Sequence, residues 1–192
     1  LYISSWRDRN KDWKLTDTVD LQKIISAEVK LLNHIKNYVN KHSRQITIYG
    51  KYKSDKEKNF FKNIFEGSNW SFKANDRLRS YIICDQAKLI ISTVSTLGYE
   101  ALARGSKVVV FNYMNFDKST ASKNFCWPYK IASKGAFWTD EISQNSCDKI
   151  INNVSKLNLR EWKRVRDKNV GQILKYDEDN KILKSLLNKF LK

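Results

Sequence analysis

Apolar residues along this chain alternate between short continuous runs and longer spans in which they recur every three or four positions. The first run, Leu1–Ser5, ends in Ser4-Ser5 and reads as a strand. A polar loop with Trp6, Arg7 and Arg9 follows it. Leu21, Ile24, Ile25, Val29, Leu32, Ile35 and Val39 then repeat at helical spacing, predicting one long amphipathic helix over about residues 18–42. Gln45–Tyr49 alternates as a strand up to Gly50. Phe60, Phe61, Ile64 and Phe65 form the face of a second helix closed by Gly67, and Trp70–Lys73 is a third strand. Leu78, Tyr81, Ile82 and Ala87 predict a helix, Leu89–Thr93 a buried strand, Tyr99–Arg104 a short helix stopped by Gly105, and 107–112 another buried strand.

Crossovers of this length join parallel strands, and continuous Val/Ile runs belong to sheets covered on both faces. The pattern predicts a doubly wound α/β domain with a mostly parallel sheet and its ligand site at the carboxyl ends of the strands. Residues 113–141 read as a long aromatic loop region, with Tyr113, Phe116, Phe125, Trp127, Tyr129, Phe137 and Trp138. C-terminal helices follow at about 143–156, 159–174 and 179–190, a helical extension (143–192) of a single domain spanning 1–192. The chain begins at Leu1 rather than Met, already inside a strand, and so reads as a fragment of a longer protein.

Composition narrows the classes. One Pro and six Gly among 192 residues exclude a low-complexity chain, and no apolar run approaches the ~20 residues of a membrane span. Cys84, Cys126 and Cys147 are an odd count without paired spacing, which points away from a disulfide framework and toward a reducing cytoplasm. His34, among the apolar positions of the long helix, reads as structural, and His42 lies near that helix's exposed end. Two histidines supply no zinc-ligand pattern. The formal net charge of +16 is spread as +8 over residues 1–80, +2 over 81–141 and +6 over 142–192. A surface of that kind attracts polyanions generally, whether phosphorylated small molecules, anionic lipid or nucleic acid, or it is simply a set of solvated lysine-rich faces.

The chemistry concentrates between Leu89 and Gly105. An apolar strand runs into Ser92-Thr93-Val94-Ser95-Thr96, and a helix starts close behind. First-turn amides and the helix dipole favour an anion at that place, and Ser95 and Thr96 add hydroxyl donors. Leu97 and Gly98 complete the turn, Gly98 letting a ligand approach the backbone. Together they form a candidate phosphate cradle. Glu100 would repel a phosphate that it faced, but could accept hydrogen bonds from sugar hydroxyls. Leu97 stands three residues before it, so a capping box on Glu100 is not supported. The same residues could also be no more than a helix cap with ordinary dipole compensation. Lys51 and Lys53 follow strand two, and Arg7 and Arg9 follow strand one, at the same sheet edge. No Asp-x-Asp pattern suggests a bound divalent metal. Cys84, beside Ile83 on a helix face, reads as core packing.

Ser95-Thr96-Leu97-Gly98-Tyr99-Glu100-Ala101-Leu102, followed by Gly105 and the strand 107–111, resembles the nucleotide-binding C-terminal lobe of GT-B glycosyltransferases. It looks most like that of bacterial surface-carbohydrate transferases of capsule and lipopolysaccharide pathways. Gly135-Ala136-Phe137-Trp138-Thr139 and Glu161-Trp162 are similar to further elements of that group. The resemblance implies a Rossmann-like lobe that takes a nucleotide-sugar donor as substrate and needs no separate cofactor. Phosphates would lie on Ser95, Thr96, Leu97 and Gly98, with Ser4, Ser5 and Lys51 nearby; the ribose on Glu100; the base near Phe72 and Lys73. It also implies a missing N-terminal acceptor-binding lobe carrying the general base, so no catalytic residue is assigned, and the chain alone is expected not to transfer sugar. The cysteine usage and the basic surface predict a cytoplasmic location with peripheral contact to an anionic inner membrane, and the lack of a zinc finger, an RNA-recognition aromatic motif or a basic heptad region predicts no specific nucleic acid. The alternatives from other classes are a basic nucleic-acid-binding module and a non-catalytic docking lobe on an anionic membrane.

Overall fold

The computed structural model describes residues 1–7, 21–76, 79–113, 132–170 and 176–191. Six parallel strands, β1 (Tyr2–Ile3), β2 (Ile46–Tyr49), β3 (Trp70–Lys73), β4 (Ile90–Ser92), β5 (Val108–Phe111) and β6 (Trp138–Thr139), form one sheet in the order β3-β2-β1-β4-β5-β6. Tyr2 sits in register with Ile48 on one side and Ile91 on the other, so β1 is central. This is the order of doubly wound dinucleotide-binding sheets, and it reverses direction between β1 and β4. The predicted α/β class and parallel sheet hold.

Helix α1 (Leu21–Lys41) packs against α2 (Asp55–Phe65) and α5 (Gln144–Lys156) as one layer, and α3 (Ser80–Gln86) packs against α4 (Thr96–Arg104) as the other. Right-handed crossovers put successive helices on one face until the strand order reverses, which is why the layers change after β3. Ile24, Leu31, Leu32 and Ile35 of α1 and Phe61 and Phe65 of α2 meet the strands in the core. His34 shares the Gln144 side chain of α5 (Nδ1 to Oε1, 3.1 Å), so it joins two helices, as its structural reading implies. The His42 ring lies 4.5 Å from that of Tyr38.

Several details depart from the sequence reading. The region 113–141 is not wholly loop, because Trp138–Thr139 pairs with β5 as a sixth strand. Its described aromatics Tyr113, Phe137 and Trp138 are core residues. Phe116, Phe125, Trp127 and Tyr129 lie outside the described residues, as do Arg9, Leu78 and Cys126. Tyr81 and Ile82, two of the apolar positions that predict the third helix, are exposed, while Cys84 of α3 is buried, as its core-packing reading predicts. A helix of seven residues turns only a narrow face inward, and Cys84 lies on it. Ile25 and Val29 of α1 are only half-buried, while Glu28 and Leu31 turn inward. Helix α4 begins at Thr96, three residues earlier than its apolar spacing predicts, with Ser95 as N-cap and Gly105 in the left-handed region (φ 108°) at its end.

The family-like elements near the C-terminus are structural. Phe137 meets the Trp162 ring edge-on at 5.5 Å, and the Trp162 indole N–H donates to the Gly105 carbonyl at 2.9 Å, tying α6 (Leu159–Val170) to the end of α4. Glu161 and Asn158 cap that helix reciprocally: the Glu161 carboxylate accepts the Asn158 N–H at 2.8 Å, and Asn158 Oδ1 accepts the Glu161 N–H at 2.9 Å. A single 3-10 turn (Glu178–Asn180) leads into α7 (Lys181–Phe190). No helix among the described residues is long and apolar enough to cross a membrane.

Candidate functional site

A cavity of about 440 Å³ opens where the strand order reverses, at the carboxyl ends of β1, β2 and β4. That volume lies within the range of small-molecule sites, and the reversal is where such folds leave a crevice. One wall is the start of α4, with Val94, Ser95, Thr96, Leu97 and Glu100. Opposite it stand Gly50 and Lys51 after β2, and Arg7 reaches in from the β1 loop. Asn75, Ser80 and Tyr81 close the far end.

The α4 wall is built to leave donors available. Ser95 takes the N-cap position with extended backbone, yet its hydroxyl makes no capping bond. The Gly98 N–H turns back onto the Ser95 carbonyl at 3.0 Å, and the amides of Thr96 and Leu97, at the first two helical positions, have no intrahelical acceptor. Gly98 lies against Ser92 of β4. It is buried and does not line the cavity, and a Cβ there would lie 2.1 Å from Ser92 Oγ and 2.6 Å from Ser92 Cβ. Its missing side chain lets α4 lie close on β4, which aims the first turn at the strand ends.

Glu100 stands exposed at the rim, one helical turn above Thr96, and accepts the Tyr81 hydroxyl at 3.1 Å. That hydrogen bond, with the adjoining negative charge, raises the Tyr81 phenol above its ordinary pKa and keeps it a donor. One turn further along both helices, Arg104 of α4 pairs with Asp85 of α3 at 2.5 Å, and its guanidinium lies 5.2 Å from the Tyr81 ring. Residues four apart share a helix face, so Tyr81 and Asp85 meet Glu100 and Arg104 as two rungs of one ladder.

Beneath the opposite wall lie two carboxylates that the sequence reading did not single out. Glu57 of α2 is 0% exposed. It accepts the Ser4 hydroxyl at 2.5 Å, the Lys51 N–H at 2.8 Å and the Tyr52 N–H at 2.8 Å. It therefore clasps the β1 and β2 ends together and fixes the backbone from which the Lys51 side chain projects. Glu28 of α1 is 5% exposed and accepts the Ser5 hydroxyl at 2.9 Å and the Tyr2 hydroxyl at 3.4 Å. Burial pushes its carboxyl up to about 7, against the opposing pull of those two hydrogen bonds and of the Arg7 charge. The Tyr49 hydroxyl, 2.8 Å from Ser80 Oγ and 3.2 Å from Asn75 Oδ1, also accepts the Asp76 N–H at 3.0 Å and so orders the far end. Asn75 returns a bond to the Lys51 carbonyl at 2.9 Å.

The residues named from the sequence are therefore not all together. Ser95, Thr96, Leu97, Lys51 and Glu100 line one cavity, with Arg7. Ser4 and Ser5 border it, but their hydroxyls are committed to Glu57 and Glu28. Phe72 and Lys73 do not line it. The Phe72 ring packs on Gly50, where a Cβ would lie 2.5 Å from it, and Lys73 is exposed with its carbonyl taken by the Gly50 N–H. Lys53 is exposed away from the lining.

Chemically, the cavity offers two cations, two first-turn amides and the Ser95 and Thr96 hydroxyls against one exposed carboxylate. It suits an anion with a polyhydroxylated neighbour. Among the described residues no cluster of three His, Cys, Asp or Glu could hold a metal ion. Burial raises the thiols of Cys84 to about 11 and Cys147 to about 12, so both stay protonated in the core. Compared with known proteins, residues 1–191 match the model of a family described as "putative O-antigen biosynthesis protein". No curated protein matches, and no solved structure matches.

Proposed function

Since the chain belongs to this O-antigen biosynthesis family, we propose that it is the donor-binding lobe of a glycosyltransferase that builds surface polysaccharide. The nucleotide diphosphate of a nucleotide-sugar occupies the cavity between β1 and β4. The observation that carries this reading is the convergence, at one strand-end crevice, of the free first turn of α4 with Arg7 and Lys51, while Glu100 stands one turn higher on the same helix. The phosphates rest on the Thr96 and Leu97 amides and the Ser95 and Thr96 hydroxyls, where the helix dipole adds to the two cations. Glu100, set back from that turn, accepts ribose hydroxyls, with Tyr81 holding it in place. Cations beside the bridging phosphate stabilise the charge that develops when the sugar departs. The far end, with Asn75 and Ser80, faces the base in place of Phe72 and Lys73. Acceptor and general base come from another lobe.

Thermal-shift titration with CMP, CDP, UDP and GDP tests the reading. At least one nucleoside diphosphate raises the melting temperature, by an amount that grows with its concentration. Glu100→Ala abolishes that rise without lowering the melting temperature of the unliganded protein, because the residue is exposed. The absence of a shift with every nucleotide would overturn the assignment. A shift that inorganic pyrophosphate reproduces in full and Glu100→Ala leaves intact would remove Glu100 from the ribose role.

A further inference from the structure

Helix α7 contributes nothing to the core. Ile182, Leu183, Leu186, Leu187, Phe190 and Leu191 all lie on one side of it, and each is at least 47% exposed, Phe190 by 85%. At 100° per residue, Lys184 and Lys189 fall at the two borders of that apolar face, and Lys181 falls opposite its centre. No acidic residue occurs from Lys181 to Lys192. A ten-residue helix is marginal by itself in water, so one that exposes its whole apolar side needs a surface to lie on. At about 15 Å it is far too short to cross a bilayer.

Charge selects the surface. A second copy laid face to face would bring bordering lysines beside lysines, with no acidic side chain on either helix to pair with them. A nucleic acid would satisfy the lysines and leave six apolar side chains in water. An anionic bilayer satisfies both halves: acyl chains take the apolar face, and headgroup phosphates take lysines whose stems extend to that level. We propose that α7 is an interfacial anchor, lying flat in the headgroup region of an anionic membrane.

The anchor is joined to the body at a defined place. Asp177 accepts the Ile182 amide at 3.0–3.1 Å and the Leu183 amide at 3.3 Å, fixing the start of the helix. The Tyr176 ring lies 4.7 Å from the Arg104 guanidinium, the same group that stacks on Tyr81 at the cavity rim. Lys181 is five positions beyond Tyr176, a reach of at most about 18 Å. A membrane holding α7 therefore lies close to the rim.

Cosedimentation of the 192-residue chain with vesicles tests this independently of any nucleotide. Vesicles of phosphatidylcholine containing one-third phosphatidylglycerol carry the protein down at low salt, and added NaCl releases it. Pure phosphatidylcholine binds at least tenfold more weakly. Leu183→Glu with Leu187→Glu abolishes binding while leaving the melting temperature unchanged, because neither side chain is buried. Lys184→Gln with Lys189→Gln weakens it about 25-fold, at about fivefold per lysine near such a surface. Equal pelleting of the wild type and the leucine variant would overturn the proposal, as would equal binding to the two lipids. So would a dimer in light scattering that the leucine variant dissociates while vesicle binding persists, since α7 would then pair copies.

Discussion

Replacing Glu28 by Gln isolates one buried ionisation and gives a change whose sign depends on pH. In the folded protein the Glu28 carboxyl keeps its proton up to about pH 7, whereas in the unfolded chain it releases it near its ordinary value of 4.5. Between those values the folded state binds more protons, so Glu28's contribution to stability is fully present below pH 4.5 and is lost as pH rises toward 7. At ~1.4 kcal/mol per pH unit, the gap corresponds to roughly 3 kcal/mol. Glutamine has nearly the same shape, and its Oε1 can still accept from Ser5 and Tyr2, but it does not ionise. Urea unfolding at pH 5, 6, 7 and 8, read by tryptophan fluorescence, should therefore show the variant gaining on the wild type as pH rises. The difference between the two proteins should change by about 2–3 kcal/mol across the series, with most of it below pH 7.5. Groups common to both proteins cancel in that difference. Parallel stability curves would refute the reasoning, because Glu28 would then titrate alike in both states.

Two further outcomes follow from packing and capping. Gly98→Ala drives a methyl into Ser92 and should destabilise by about 1–3 kcal/mol in urea unfolding; Ser92→Gly in the same chain should recover most of that loss, whereas Ser92→Ala should not, since the Ser92 Cβ is itself 2.6 Å from the new atom. Glu161→Ala removes one half of the Asn158–Glu161 cap and should cost about 1 kcal/mol, without altering any nucleotide-induced thermal shift.

The architecture was readable because strands and helices here differ sharply in period. The runs Leu89–Ile91 and Val108–Phe111 are apolar throughout, and Ile24, Leu32, Ile35 and Val39 keep helical spacing. Strand β6 was not readable. Two residues cannot display a period, and Trp138-Thr139 sits in a stretch whose aromatic content is spread over many positions. The cradle at Ser95–Leu97 was legible because it is local, a strand, a turn and a helix start in succession. The floor beneath it was not local, yet it left a signal. Glu28 stands four residues after Ile24 and three before Leu31, and Glu57 four before Phe61 and eight before Phe65, so both carboxylates occupy the buried stripes of their helices. Glu161 likewise announced its cap, three residues after Asn158. Phe72 and Lys73 could be placed only by analogy with a strand end, and which side of the sheet the ring takes depends on Gly50 and α2.

The Glu57 clasp has a kinetic consequence. Because its carboxylate already holds the Ser4 hydroxyl and the Lys51 and Tyr52 amides, this side of the crevice has finished its conformational search before any guest arrives. Entry then involves no folding of the loop around the newcomer, so association should proceed at a single rate set by diffusion and charge, without a slow isomerisation behind it.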